Sequence, residues 1–407
     1  MPPTKKAIAF IFVTMLIDSI GLGIILPVLP RLIEDLTGGG LAEAARYGGW
    51  LLFLYALAQF FCAPVIGNLS DRFGRRPVLL LSLFAMGLDY ILMGFAPTIV
   101  WLFVGRLISG ICGASYSTAN AYIADVTPPE RRAQNFGLMG AAFGFGFIIG
   151  PVVGGFLGEY GARAPFFAAA GLALANAAYG YFIIPETLPP ERRRAFSWKR
   201  ANTLGAFAHL RTMPAAVMLA ATLFFHQFAH FVLPSVWSFY VMEKYGWSVR
   251  EVGYSLGFAG LSMALVQGGL IRKVIPRIGP QRAAYVGLIF AAVGYFGYAF
   301  APNGWALYAF MVPAALAGLA FPSINGLIST LVPANAQGEL QGALGSISGL
   351  TAIIAPVFMT QLFGYFTGPS APVHFPGAAF FAAGVLELGS ALLLTRVIRR
   401  SAATAPA

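Results

Sequence analysis

Gly67-Asn68-Leu69-Ser70-Asp71-Arg72-Phe73-Gly74-Arg75-Arg76-Pro77 is the stretch that decides how this chain reads. It packs Asp71, Arg72, Arg75 and Arg76 into a short link in a chain that is only 10% charged, with long apolar runs on both sides. A link so dense in charge lies outside hydrocarbon. Gly67 and Gly74 allow close backbone approach or positive φ in a tight turn, and one acid among three arginines offers ion pairing beside anionic lipid head groups. A plain juxtamembrane basic loop carries similar charge but has no need of this spacing.

Composition agrees with a membrane setting. The hydrophobic fraction is 58% and the mean hydropathy +0.75, more apolar surface than a soluble protein of 407 residues can cover. The net charge of +11 is not gathered on one nucleic-acid-binding face, because the basic residues alternate with the apolar runs. Lys5, Lys6, Arg72, Arg75, Arg76, Arg131, Arg132, the 192–211 segment, Arg272 to Arg282 and Arg396 to Arg400 fall on one side. The other side holds Arg31, Arg46, Arg163, Lys244 and Arg250. This bias predicts cytoplasmic termini and a cytoplasmic central loop. Cys62 and Cys112 both sit inside apolar runs, which argues for neither a disulfide framework nor a thiolate metal site. The first apolar run keeps an acid and lacks a small-residue cleavage site, so it reads as a retained helix.

Apolar runs of about 20 residues, long enough to cross about 30 Å as helix, fall at 7–30, 47–68, 77–96, 99–122, 134–158, 165–184, 214–241, 251–271, 282–301, 304–327, 339–366 and 374–396. The expected fold is therefore an all-α membrane protein of twelve spans in two six-helix bundles, 1–184 and 214–407. Between them, 185–213 has the proline-rich, basic composition of a cytoplasmic linker that cannot bury itself. The halves look duplicated, since Arg277 and Gly279 fall where Arg72 and Gly74 fall, with Pro276 in place of the acid and Pro280-Gln281 in place of the paired arginines. Two such halves around a midplane site are a transporter layout.

Charged groups inside spans are functional candidates. Asp18 comes about 12 residues into the first span, which at about 1.5 Å per residue is near the bilayer centre. It is either a proton-coupling site or a neutral acid satisfied by a neighbouring helix; Ser19, Gly21 and Gly23 on the same stretch admit a close neighbour. Asp89 is a second such acid, and Arg106, in the fourth span, needs an anionic partner or a wet cavity. Asp18 and Asp89 are its candidate partners, and a pair that breaks on protonation would serve as a switch, whereas an unbroken pair would be structural. Glu387, mid-way through the twelfth span, is a third acid without an evident partner. His226 and His230, one turn apart beside Gln227, suggest cavity-lining polar groups or a pH-sensitive pair and not a metal site. Asn120 and Gln341 complete the candidate substrate contacts, while Phe224, Phe225, Phe228, Phe231 and Trp237 fit either a greasy pocket or ordinary packing. Asp71 is expected to meet the amide end of the eleventh helix, which Gln337-Gly338-Glu339 opens. Asp125, beside Glu130-Arg131-Arg132, is expected to hold Arg75 or Arg76, so that the group closes the cytoplasmic side.

The opening stretch resembles the G-x-L-a-D-r-x-G-r-r/k signature between helices 2 and 3 of the major facilitator superfamily. In the fifth span, the Gly-x-x-x-Gly-Pro-x-x-x-Gly arrangement of Gly146, Gly150-Pro151 and Gly155 resembles the antiporter motif of its drug:proton branch, where it seals one side of the cavity. The resemblance sharpens toward the tetracycline-efflux subfamily on Asp18, Gly21, Gly23, Pro27 and Pro30; Leu88-Asp89-Tyr90; Gly105-Arg106 with Ser109-Gly110; Ala124-Asp125; Pro165-Phe166-Phe167; and Gln337-Gly338 with Leu340-Gln341-Gly342. It implies proton-coupled efflux of a lipophilic small molecule by alternating access, driven by the proton gradient without a cofactor, in the bacterial inner membrane. The resemblance implies a tetracycline-like drug or another amphipath as substrate; the subfamily's essential ninth-helix acid is missing, with Ala291 in its place, so a metal-chelated cationic tetracycline would lack that carboxylate, which points to a different amphipath and leaves coupling to Asp18, Asp89 and Glu387. An uncoupled or symporting carrier of a small nutrient or metabolite is the alternative. One chain supplies both halves, so a monomer is expected. No nucleophile–base set, metal motif or phosphate loop points to an enzyme.

Overall fold

A chain crossing lipid has to bond its own amides and carbonyls, so the apolar runs become helices. The computed structural model describes residues 3–114, 116–128, 131–198, 214–332 and 337–403, and among them there is no strand. Glu130 and the linker from 199 to 213 lie outside the described residues.

Among the described residues, eleven helical stretches are long and apolar enough to cross a membrane. One, Val249–Phe300, has 52 residues, which at about 1.5 Å each is more than twice the about 30 Å of hydrocarbon. Gly279, with φ 78 and ψ 160, breaks it into two, and the twelve expected spans follow. Spans 1 to 6 are Pro3–Ile25, Leu41–Phe73, Arg75–Gly94, Ile99–Val126, Arg132–Gly158 and Ala164–Ile183. Span 7 consists of Pro214–His230 and Val232–Tyr245, spans 8 and 9 share Val249–Phe300, and spans 10 to 12 are Gly304–Thr330, Gln337–Thr367 and Ala378–Ala403.

Several boundaries differ from the sequence expectation. Span 1 stops at Ile25, because Leu26 and Val28 turn back onto the Gly23 and Ile25 carbonyls. Pro27 follows that stop, and a short helix, Leu29–Thr37, buries Leu29, Leu32 and Ile33. The opening signature is not a loop. Span 2 runs helically through it to Phe73, and the link to span 3 is Gly74 alone, at φ 106 and ψ 156. Gly67 is an ordinary helical residue, with only the Ser117 hydroxyl near the place a Cβ would take.

The backbone records the duplication. Gly74 and Gly279 share the same unusual conformation 205 residues apart, and Gly38 and Gly246 end helices with matching φ of 70 and 67. Pro151 inside span 5 and Pro356 inside span 11 repeat the 205-residue interval.

The chain forms two compact units, Met1–Gly40, Leu51–Thr203 and Trp247–Gly260 in the first, and Leu41–Trp50, Leu204–Gly246 and Leu261–Ala407 in the second. In unit 1, Phe10, Ile11, Met15, Leu79, Leu83, Tyr122, Ile123 and Met139 make a core between spans 1, 3, 4 and 5. The segment Trp247–Gly260 joins it because Gly253 lies against the Pro151 carbonyl and Gly155. In unit 2, Leu219, Leu223, Leu288, Ile324, Ile328, Leu340, Leu344 and Leu394 pack spans 7, 9, 10, 11 and 12 together. The segment Leu41–Trp50 belongs there because Gly49 presses on Thr360 and the Pro356 carbonyl. Trp237 packs with Tyr240, Tyr298 and Phe380, so its role is core packing.

Candidate functional site

Three polar assemblies interrupt these apolar cores. The first is at mid-span in unit 1. Asp18 is half-buried on span 1 and Asp89 is 2% exposed on span 3. Ser109, one turn beyond Arg106 on span 4, donates its hydroxyl to Asp89 Oδ2. Oδ1 of Asp89 is buried without a partner and lies over Gly105, where a Cβ would come within 3.1 Å of it. Arg106 is buried as well, but among the described residues no ion pair joins it to Asp18 or Asp89. That corrects the expected charge pair: Asp89 takes the neutral donor, Ser109, from the same helix. Tyr55 and Tyr90 lie within electrostatic reach of both Asp18 and Arg106, and the Tyr90 hydroxyl fills the space over Gly21.

The fifth-span glycines hold the Asp18 helix. A Cβ on Gly146 would meet Ser19 and the Leu16 carbonyl, and one on Gly150 would come within 2.8 Å of the Ile20 carbonyl. Pro151 lies against Gly23 and Gly154 against the Ile24 carbonyl. On the other side Gly155 meets Gly253. The row is thus a close-packed seam.

The second assembly surrounds the signature at one end of unit 1. Arg75 is buried and binds Asp71 through Nη1 at 2.5 Å, Asp125 through Nε at 3.3 Å and the Ser70 hydroxyl at 2.7 Å. Asp125 and Arg75 therefore meet, as the residue types suggested. Arg76 donates to the Tyr181 carbonyl at 2.7 Å, whereas Arg72 is exposed over the Phe73 ring. The residue missed from sequence is Glu186. Span 3 begins with free amides that Gly74 cannot cap, and Glu186 accepts those of Arg75 at 2.9 Å and Arg76 at 3.3 Å, together with Thr187 and Leu188. Tyr122 holds the Pro185 carbonyl and the Arg194 amide holds the Asp71 carbonyl. The first ten residues of the expected free linker are therefore pinned to the signature. An acid closing an apolar run after proline was the available signal, but its target lay far away in sequence.

The third assembly lies in unit 2. His226 and Glu387 meet, and Gln227 donates to Ser348 at 2.9 Å. Pro234 has no N–H for the His230 carbonyl, and span 7 breaks at Phe231. Asn120 is half-buried in the second half of span 4 and Gln341 is exposed near the start of span 11. Neither joins the three assemblies.

Twelve spans in a repeated six-helix plan, with polar groups confined to a few buried clusters, define a membrane transport protein. The chain belongs to the Major Facilitator Superfamily, whose family model matches residues 11–356. It is 39% identical over 364 residues to the class C tetracycline resistance protein of Escherichia coli, covering 88% of this chain and 90% of that one. It is 34% identical over 353 residues to the class B protein of Escherichia coli, covering 87% of each. Among solved structures, the human organic anion transporter MFSD10 (TETRAN) aligns with a TM-score of 0.70 at 24% identity over 97% of this chain and all of that one. The nucleoside transporter NupG aligns at 0.77 with 12% identity, over 98% and 99%. These structural likenesses bear on the fold alone.

Proposed function

We propose that this chain exports lipophilic small molecules, tetracycline-like drugs or other amphipaths, in exchange for protons. The observation that carries the reading is Asp89, buried in a span with one oxygen held by Ser109 and the other unpartnered. The unpartnered oxygen can take a proton without breaking an existing contact, and an intramembrane acid without an ion pair carries a negative charge only at high cost. Asp18 on span 1 is the second acid of the set, and Arg106 acts on Asp89 through space without an ion pair. The relation to tetracycline resistance proteins over most of the chain supports efflux over uptake. The proton gradient is the driving force, with no cofactor. The working unit is a monomer in the bacterial cytoplasmic membrane, both termini inside.

One observation favours a second reading, an uncoupled carrier. Ala291 is fully buried in span 9, so no carboxylate at that position contacts a substrate. The deciding measurement is drug-dependent proton movement by the purified protein in proteoliposomes, wild type against Asp18→Asn, with tetracycline and several hydrophobic cations as probes. Protons moving opposite to one of these, and stopping in Asp18→Asn, support exchange. A wild type that moves a drug without protons replaces exchange by facilitation.

A further inference from the structure

Unit 2 contains a carboxylate sealed from solvent. Glu387 is 0% exposed, and His226 Nδ1, from span 7, stands 2.9 Å from Oε1 and 3.0 Å from Oε2. A nitrogen shared between both oxygens fits an N–H donated to a carboxylate. One turn along, the His230 ring stacks on His226 with centroids 6.5 Å apart and planes 19° from parallel. His230 Nδ1 lies 3.5 Å from the hydroxyl of Tyr295, a buried residue of span 9. A carboxyl, two imidazoles and a phenol from three helices thus form one row. His230 is the half-buried histidine of that row, whereas His226 is buried.

The surroundings supply little else that titrates. Tyr298 stands beside Tyr295, with ring centroids 6.2 Å apart. The part of span 10 that packs on span 7, Ala320–Thr330, has no ionisable side chain, and span 11 has only Glu339 near its start and Tyr365 near its end. In the second half of span 7, Lys244 is bound to the Ala299 carbonyl and Tyr240, and Glu243 faces His374. The cations around the joint between spans 8 and 9, Arg272 to Arg282, precede or open span 9, Arg396 lies nine residues beyond Glu387, and no described ion pair links any of these to Glu387.

We propose that Glu387 and His226 form a proton-exchange site of unit 2, with the half-buried His230, beside the Tyr295 hydroxyl, as its path to water. In the loaded row one proton is shared between the Glu387 carboxylate and the His226 imidazole. A second proton, taken from water and passed along His230 to the other ring nitrogen of His226, shifts the Nδ1 proton onto the carboxylate; the pair becomes a neutral carboxylic acid beside a neutral imidazole, and the charge-assisted attraction holding span 7 to span 12 is weakened. Return of that proton to water restores the pair. The site's part in coupling rests on the antiport reading above; its proton chemistry does not.

The test uses the full chain in lipid nanodiscs without substrate. Infrared difference spectra between about pH 5 and about pH 9, the range in which imidazoles titrate, should contain a carboxylic C=O band that is absent from Glu387→Gln and shifted in His226→Gln. Glu387→Gln should also take up about one proton fewer per chain over that range. Identical spectra and uptake in wild type and Glu387→Gln overturn the proposal and make the pair a fixed structural contact. Where a variant fails to fold, [15N]histidine-labelled wild type decides. Change of one hydrogen-bonded Nδ1–H signal on acidification, among the chain's four histidines, supports the site; no change in any overturns it. In proteoliposomes, fewer protons exchanged per tetracycline by Glu387→Gln than by wild type assigns the site to coupling. A wild type that exchanges no protons for drug defeats the antiport reading while the titration stands by itself.

Discussion

Replacing Glu186 by alanine should free the start of span 3. The carboxylate holds the Arg75 and Arg76 amides at 2.9 and 3.3 Å. Losing a side-chain cap costs about 0.5–2 kcal/mol, and losing the negative charge from a helix start removes about 0.3–1 kcal/mol more. The site is half-buried, so screening is partial, and the sum is about 1–3 kcal/mol. At about 1.4 kcal/mol per tenfold, the local opening equilibrium should rise ~5- to ~150-fold. Hydrogen exchange of peptides spanning Arg75 to Leu79, followed by mass spectrometry in detergent or nanodiscs, reads that change directly. Glu186→Gln keeps an acceptor and should show only the charge part. Protection around Arg75 that is the same in Glu186→Ala as in wild type would refute the cap and leave Glu186 a bystander.

Two pairs of glycine substitutions test the packing argument. Gly74→Ala and Gly279→Ala both force alanine into a conformation that costs about 1–3 kcal/mol, but only at Gly74 would the new Cβ also meet Glu186. Thermal unfolding of the purified variants should therefore show the larger loss for Gly74→Ala, and equal losses would remove the contact from the account. Gly146→Leu drives a side chain into Ser19 and the Leu16 carbonyl, whereas a Cβ at Gly144 meets nothing within 4 Å. Overpacking of about 1–3 kcal/mol should lower the melting temperature and the folded yield of Gly146→Leu and spare Gly144→Leu; matched behaviour would mean that span 5 is not seated on span 1.

What could be read from sequence was whatever hydrocarbon imposes locally. Twelve apolar runs, the charge bias between their ends and the Gly-Pro interruption of span 5 each follow from a window of residues and a bilayer of known thickness. Contacts between distant windows were hidden. Glu186 caps a helix that begins 111 residues earlier, and Glu387 finds His226 across 161 residues; composition at either end names a donor or an acceptor and not its partner. The signature stretch misled for another reason. Its charge density argued for a loop, yet a single residue, Gly74, turns the chain, and Asp71 at the end of span 2 pairs with Arg75 at the start of span 3 across that joint. Arg106 misled because a buried cation and two buried acids suggest an ion pair, whereas Asp89 takes the Ser109 hydroxyl and Arg106 acts on it only through space.

The two glycine joints differ in stiffness. Gly74 is enclosed by Glu186 and Arg193, while Gly279 has nothing within 4 Å of its would-be Cβ and follows a π-helical turn at Val266–Leu270. An extra residue in a helical turn and an unsupported glycine are both places where a rod yields first. Strain applied to the protein, whether from a thinner bilayer or from a bulky cargo, will accordingly be absorbed as bending between spans 8 and 9, while spans 2 and 3 transmit it as a rigid lever.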